Sequence, residues 1–185
     1  MREFLEENVG VSSMFMKSMD AFEAPRRGRG ELVLYLDFNG VLHHENCLCH
    51  PRKGPYLCAP AGHTLFQHVP LPQELLYAYP DVRIVLSTSW VRRYGFMRTA
   101  RLLGPSLCER VIGGNFLSRM DEQEFSALTR GMPVSGDVYR RGSRDWRALN
   151  DDAQDWSDER GEGPSSLAQT REQSFMQICR SSWPS

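Results

Sequence analysis

Four short apolar runs, each closed by a polar or glycine cluster, set the plan of this chain. Leu32-Val33-Leu34-Tyr35-Leu36 runs into Asp37-Phe38-Asn39-Gly40, and Val82-Arg83-Ile84-Val85-Leu86 runs into Ser87-Thr88-Ser89. Arg110-Val111-Ile112 ends in Gly113-Gly114, and Asp145-Trp146-Arg147-Ala148-Leu149 ends in Asn150-Asp151-Asp152. Short runs rich in aliphatic and aromatic residues predict buried strands, here over 31–36, 82–86, 110–114 and 145–149.

Between the runs the period lengthens. Residues 64–79 are mostly helical in spacing, but Pro70 and Pro72 interrupt them, which predicts two short pieces. Residues 91–103 predict a helix stopped by Gly104-Pro105. Asp121 and Glu124 form a capping-box-like pair, with Met120 and Phe125 in the staple positions, and predict another helix start. A further helix is expected from about Pro133 to Arg141, ending at Gly142. Alternating strands and helices predict an α/β domain with a central parallel sheet flanked by helices on both faces.

Residues 43–63 are rich in His, Cys, Pro and Gly and show no clear period. They predict a long loop or small flap inserted after the first strand, over the same edge. Residues 1–30 form a separate arm: a weak helical pattern around Met14 to Phe22, then a basic Pro/Gly/Arg linker. From Ser157 the chain turns polar and Ser/Gln-rich, with only a poor stripe of Leu167, Phe175 and Ile178. The expected organisation is an arm over 1–30, a domain over 31–156 and a polar tail over 157–185.

Net charge is −1, so no whole-protein field drives the chain onto nucleic acid or an acidic membrane. The charge is uneven, however. Residues 83–147 hold twelve Arg against six acids. That excess suits an anionic substrate near this half, although a solvated surface balanced elsewhere is the plainer reading. No apolar run approaches the ~20 residues that span a bilayer. Glu3, Glu6 and Glu7 stand where a secretory signal would be cationic. Five Cys, an odd number without a small-scaffold framework, suggest a reducing compartment, and the expected location is cytoplasmic.

The C-terminal ends of parallel strands are where open α/β sheets hold ligands. Asp37, Ser87 to Ser89, and Asn150 to Asp152 are therefore expected on one edge. A carboxylate at the position of Asp37 can act as a nucleophile or a metal ligand. An Asp that merely starts a turn before Gly40 is the alternative. His43, His44, Cys47, Cys49, His50, Cys58 and His63 form a second cluster. Its Cys-x-Cys-His spacing is not one of the strong paired zinc patterns, so an irregular flap is the favoured reading over a zinc site. His43 and His44 are near Asp37 in sequence and are candidates to assist proton transfer. Cys108 and Cys179 read as packing residues.

Asp37-Phe38-Asn39-Gly40-Val41-Leu42 resembles the first motif of the haloacid dehalogenase-like (HAD-like) superfamily, an apolar strand followed by Asp-x-Asp-Gly-(Val/Thr)-Leu. A closer resemblance is to a bacterial HAD group related to the HAD domains of Swiss-army-knife RNA repair proteins. It rests on Leu36 to His43, on Ile84-Val85-Leu86-Ser87-Thr88-Ser89-Trp90, on Arg110 to Gly113 and on Asp145 to Asp152.

The resemblance implies a Rossmann-like HAD core and an Mg²⁺-dependent phosphohydrolase. Asp37 would take the phosphoryl group as an aspartyl-phosphate. Thr88, with Ser87 close behind, would hold a phosphate oxygen, and Gly40 would lie in the same substrate-binding cradle. Arg130 would neutralise the phosphate, with Arg140, Arg141 and Arg144 as rivals. Asp151, or else Asp152, would complete Mg²⁺ coordination with Asp37 and the backbone carbonyl of Asn39. The implied partner is a phosphorylated small molecule or a nucleic-acid end.

Two positions depart from the pattern. Asn150 stands where the group has Asp, and Asn39 stands where phosphatases carry an acid–base Asp. An amide can hydrogen-bond there but cannot exchange a proton at neutral pH. Such help is typically worth ~10²–10⁴-fold. The expected enzyme is therefore slow toward alkyl phosphates. The alternative is a weak or inactive relative that binds a phosphorylated or nucleic-acid partner.

Overall fold

The strand β1 (Leu32–Leu36) is hydrogen-bonded on both sides and apolar on both faces, as befits an inner strand of a sheet covered on both faces. It sits in a four-stranded parallel sheet in the computed structural model, which describes residues 27–116 and 131–151. The other elements, in chain order, are β2 (Cys47–His50), β3 (Gly54–Leu57), α1 (Pro70–Tyr77) and β4 (Arg83–Leu86). They continue with α2 (Ser89–Tyr94), α3 (Phe96–Arg101), α4 (Gly104–Cys108), β5 (Val111–Gly114), α5 (Gly131–Arg141) and β6 (Asp145–Leu149). The strand order is β5-β4-β1-β6. The chain steps outward from β1 to β5 and then returns to the opposite flank, so β1 and β6 border the topological switch point.

Alternation along the strands builds two cores. Leu34, Leu36, Ile84, Leu86 and Leu149 pack with Leu75 and Leu76 of α1, Trp90 and Val91 of α2, and Leu103 and Leu107. Val33, Tyr35, Val85 and Ala148 face the other way, onto Val134 of α5. The expected α/β core with helices on both faces is thus the observed one. Among the described residues, no helix is long and apolar enough to cross a membrane.

Three local expectations change. Residues 43–63 are not featureless: they contain the antiparallel hairpin β2–β3, with Leu48 opposite Tyr56. Each strand is only four residues long, and Pro55 and Gly54 mask the alternation. The helix expected over 91–103 breaks at Gly95, which adopts φ +81° and separates α2 from α3. Pro70 opens α1 instead of interrupting it, since a first-turn proline loses no helical hydrogen bond. The helix start expected at Asp121 lies outside the described residues.

A buried polar cluster pins α5 to the sheet. Asp137 is fully buried and accepts from Tyr35 Oη at 3.0 Å, Arg141 Nε at 2.5 Å and Arg140 Nη2 at 3.3 Å. Arg141 also donates to the carbonyl of Arg27 at 2.6 Å. Burial, and then the Asp137 carboxylate, push the Tyr35 phenol well above its ordinary pKa, so it stays a donor. A Cβ on Gly113 would stand 2.8 Å from Arg141 Nη2, which explains a glycine in β5.

Removing one partner of such a cluster strands the other charge in the interior. Asp137→Ala should therefore cost about 3–5 kcal/mol in urea unfolding, whereas Tyr35→Phe should cost about 1 kcal/mol. A loss for Asp137→Ala no larger than that of Tyr35→Phe would show that Arg141 finds water or another partner.

Candidate active site at the carboxyl edge of the sheet

Parallel pairing brings the strand ends level. The Asp37 N–H donates to the Leu149 carbonyl at 3.0 Å, Ser87 N–H to Leu36 at 2.9 Å and Asn115 N–H to Leu86 at 3.0 Å. Asp37, Ser87, Asn115 and Asn150 therefore line one edge, all buried. Asp37 Oδ1 accepts from the Phe38 N–H at 2.6 Å, which holds the carboxylate at the mouth of its own turn. That turn is closed by Val41 and Leu42 N–H groups donating back to the Phe38 carbonyl.

Gly40 is required twice over. Its φ is +69°, a left-handed conformation that side chains disfavour, and a Cβ there would run into the carboxylate of Asp151. The close approach brings the strand-end carboxylate of β6 against the loop that carries Asp37. Asp37, Ser87, Thr88 and Asp151 thus share one edge, as the sequence implies. Arg130 and Asp152 lie outside the described residues. The rival arginines are elsewhere. Arg140 and Arg141 are tied to Asp137, and the Arg144 N–H donates to the Glu31 carbonyl before β1, at the opposite end of the sheet.

Asn39 is held by a clamp that sequence reasoning missed. Its Oδ1 accepts from Trp90 Nε1 at 2.9 Å and lies 3.1 Å from His43 Nε2. An indole N–H only donates, so the Asn39 atom facing it is the oxygen. His43 Nε2 must then carry the proton, which fixes the neutral tautomer. Burial, and then His68, push the His43 pKa down to about 4. A proton carrier at neutral pH is thus not what His43 supplies; it orients Asn39. His44 turns away, its ring 5.0 Å from that of His63.

Rings wall in this clamp. Phe66 stands edge-on to Phe38, His43 and Trp90, with centroids 5.5, 4.9 and 5.2 Å apart. Phe66 has φ +60°, and no other non-glycine residue among the described ones has a positive φ. A left-handed aromatic residue is sterically costly, and such strain persists where surrounding packing over-determines it.

The hydroxyls are distinguished by their partners. Ser87 Oγ accepts from Asn115 Nδ2 at 2.8 Å, which leaves its own proton to give. Thr88 is the N-cap of α2, its Oγ1 accepting from Trp90 N–H at 3.5 Å. Asn115 was not foreseen, because the glycine turn that ends β5 hides it.

The Asp37 and Asp151 carboxylates and the Asn39 backbone carbonyl are all oxygen donors by chemistry. Such a set fits a hard cation of the Mg²⁺ kind, and the missing side chain of Gly40 is what admits Asp151. Among the described residues no three His, Cys, Asp or Glu side chains are grouped to hold a metal, in the hairpin or at the strand ends. Cys47 and Cys49 lie on the inner side of β2, and burial, then Cys49, raises the Cys47 pKa.

A parallel sheet flanked by helices on both faces, with a buried carboxylate at the end of an inner strand, is a Rossmann-like α/β core of the HAD kind. The family described as "HAD domain in Swiss Army Knife RNA repair proteins" matches residues 33–173, and the chain belongs to it. No curated protein and no solved structure gives a significant match.

The depressed His43 pKa makes stability depend on pH. Between about 6.5 and about 4 the unfolded chain takes up a proton that the folded chain refuses. Stability of metal-free protein should fall as pH drops through this window, by up to about 3 kcal/mol, and His43→Gln should flatten the dependence. An unchanged profile in that variant would place the titrating group elsewhere.

Proposed function

We propose that this protein is a phosphohydrolase that acts through an aspartyl-phosphate on Asp37 and is slowed by Asn39. One observation carries the reading: Asp37 is buried at the carboxyl end of the central strand, level with Ser87, in a turn whose glycine admits the Asp151 carboxylate. The family's description names RNA repair, so the substrate class we favour is a phosphorylated nucleic-acid end, with a phosphorylated small molecule as the alternative.

In this reading an Asp37 oxygen attacks phosphorus opposite the leaving group. The Ser87 and Thr88 hydroxyls donate to the phosphoryl oxygens, and Arg130 supplies the cation beside them. Asp37, Asp151 and the Asn39 carbonyl would hold Mg²⁺, with Asp152 as a further ligand; when bound, the ion offsets the charge of the phosphate and the carboxylates. With its oxygen held by Trp90 and His43, Asn39 would have its amide N–H groups left to donate in the site. It can orient a leaving oxygen or a water but cannot give or take their protons. The second reading, a pocket that binds without turnover, is favoured by that same clamp, since neither Asn39 nor neutral His43 exchanges protons near pH 7.

Leaving-group chemistry separates these readings. p-Nitrophenolate needs no proton, so wild type with Mg²⁺ should release about one nitrophenolate per chain in a burst. It should then turn over slowly, because water attack on the aspartyl-phosphate lacks a base. Asn39→Asp keeps the clamp and restores a carboxylate, and should speed the slow phase by ~10²-fold or more. Asp37→Asn should abolish both phases. No burst in wild type and no gain in Asn39→Asp, with folding verified, would favour the binding reading.

A further inference from the structure

The hairpin and the helix beside the site make a rim rich in basic residues. Residues 46–58 carry Arg52 and Lys53, and residues 87–108, beyond β4, carry Arg92, Arg93, Arg98 and Arg101, without one Asp or Glu in either stretch; the exposed Glu45 stands just ahead of β2. The two stretches touch: Tyr94 Oη of α2 donates to Cys49 Sγ of β2 at 2.9 Å. Both also start at the candidate site. The hairpin follows the turn of Asn39 and His43, and α2 is capped by Thr88.

The inner side of the hairpin is thereby occupied and its outer side is open. Leu48 and Tyr56, cross-strand partners, are 48% and 45% exposed. The hairpin turn is built rather than loose. His50 Nδ1 accepts from the Arg52 N–H at 3.1 Å and the Lys53 N–H at 3.3 Å, and Gly54 closes the turn with φ +81°. Both cations are exposed. An exposed aromatic side chain three residues from a structured turn with two exposed cations, with Glu45 as the acid nearest to the hairpin in sequence, suits a polyanion that carries flat rings. Base stacking on an aromatic side chain is worth about 1–3 kcal/mol and tolerates any sequence. Arginine adds planar, bidentate pairing to phosphate. The apolar area of two side chains is too small to hold a membrane, and a duplex would hide its bases from Tyr56.

We infer that the rim formed by the hairpin and α2 binds a single-stranded nucleic acid, with phosphates at Arg52, Lys53 and Arg93 and a base stacked on Tyr56. The inference rests on the phosphohydrolase reading only in making the bound strand the one whose end is processed. The rim itself binds strands with no phosphate to remove.

The test is fluorescence anisotropy on the full chain with a short labelled RNA bearing hydroxyl ends, the same sequence as DNA, and its duplex. Polyglutamate serves as competitor. Single-stranded RNA or DNA should bind more tightly than duplex, and the comparison of the two assigns the sugar. Arg52→Ala/Lys53→Ala should weaken binding about ten-fold and lower the slope of log affinity against log salt by about 1.4. Tyr56→Ala should weaken binding about ten-fold with the slope unchanged. Arg144→Ala removes one exposed charge at the far end of the sheet and should change nothing. No binding, equal losses in the Arg144 variant, or duplex or polyglutamate bound as tightly as the single strand would each overturn the inference. p-Nitrophenyl phosphate turnover is read in parallel. Turnover without strand binding rejects the rim and spares the hydrolase; rim-dependent binding without turnover does the reverse.

Discussion

The position of β1 between two parallel neighbours is the constraint from which the candidate site follows. Its pairing with β4 and β6 fixes Leu36 level with Leu86 and Leu149. Every group beyond those residues is then placed by polarity alone: parallel strands end at the same edge. A slip of one residue would turn Leu34 and Leu36 out of their core and put Tyr35 in their place. The hydrophobic alternation that prevents the slip therefore also sets where Asp37 sits. The Asp37 carboxylate needs no dedicated scaffold, because the sheet register aims it.

Around that carboxylate the polar groups form a chain with a direction. A donor-only indole orients the Asn39 amide, and the amide orients the proton of a buried imidazole. Three residues thus settle one another's hydrogen positions, inside a wall of rings that includes a backbone outlier at Phe66. Preorganised donors cost no reorganisation when charge develops beside them. The same rigidity makes this corner of the site poor at moving protons. What it offers is oriented hydrogen-bonding groups whose protons stay where they are.

The sheet was legible because its strands are continuous apolar runs, and the edge was legible because it follows from parallel order. Ser87, Thr88 and Asp151 could be grouped with Asp37 on that ground. The clamp could not. Trp90 and Asn39 are 51 positions apart, and their meeting depends on which way α2 turns after Thr88. The hairpin hid in strands too short to show a period. Arg140 and Arg141 stood as rivals for the phosphate, because spacing cannot show that both are paired with Asp137 in the interior. Gly95 looked like a residue inside a helix, whereas its positive φ makes it a joint between two.

The hydrogen bond from Arg141 to the Arg27 carbonyl has a consequence for where the folded unit starts. Gly28 lies against Ile112 with φ +104°, a conformation side chains disfavour, and the Gly30 N–H donates to the Gly142 carbonyl at 2.9 Å. These few residues before β1 act as a plug over the end of the sheet remote from the site. A fragment cut just ahead of Leu32 would keep every strand and every candidate site residue described. It would nevertheless open a hole onto a buried guanidinium and lose the acceptor that satisfies it. The boundary of the cooperative unit is set by that acceptor, upstream of the first strand.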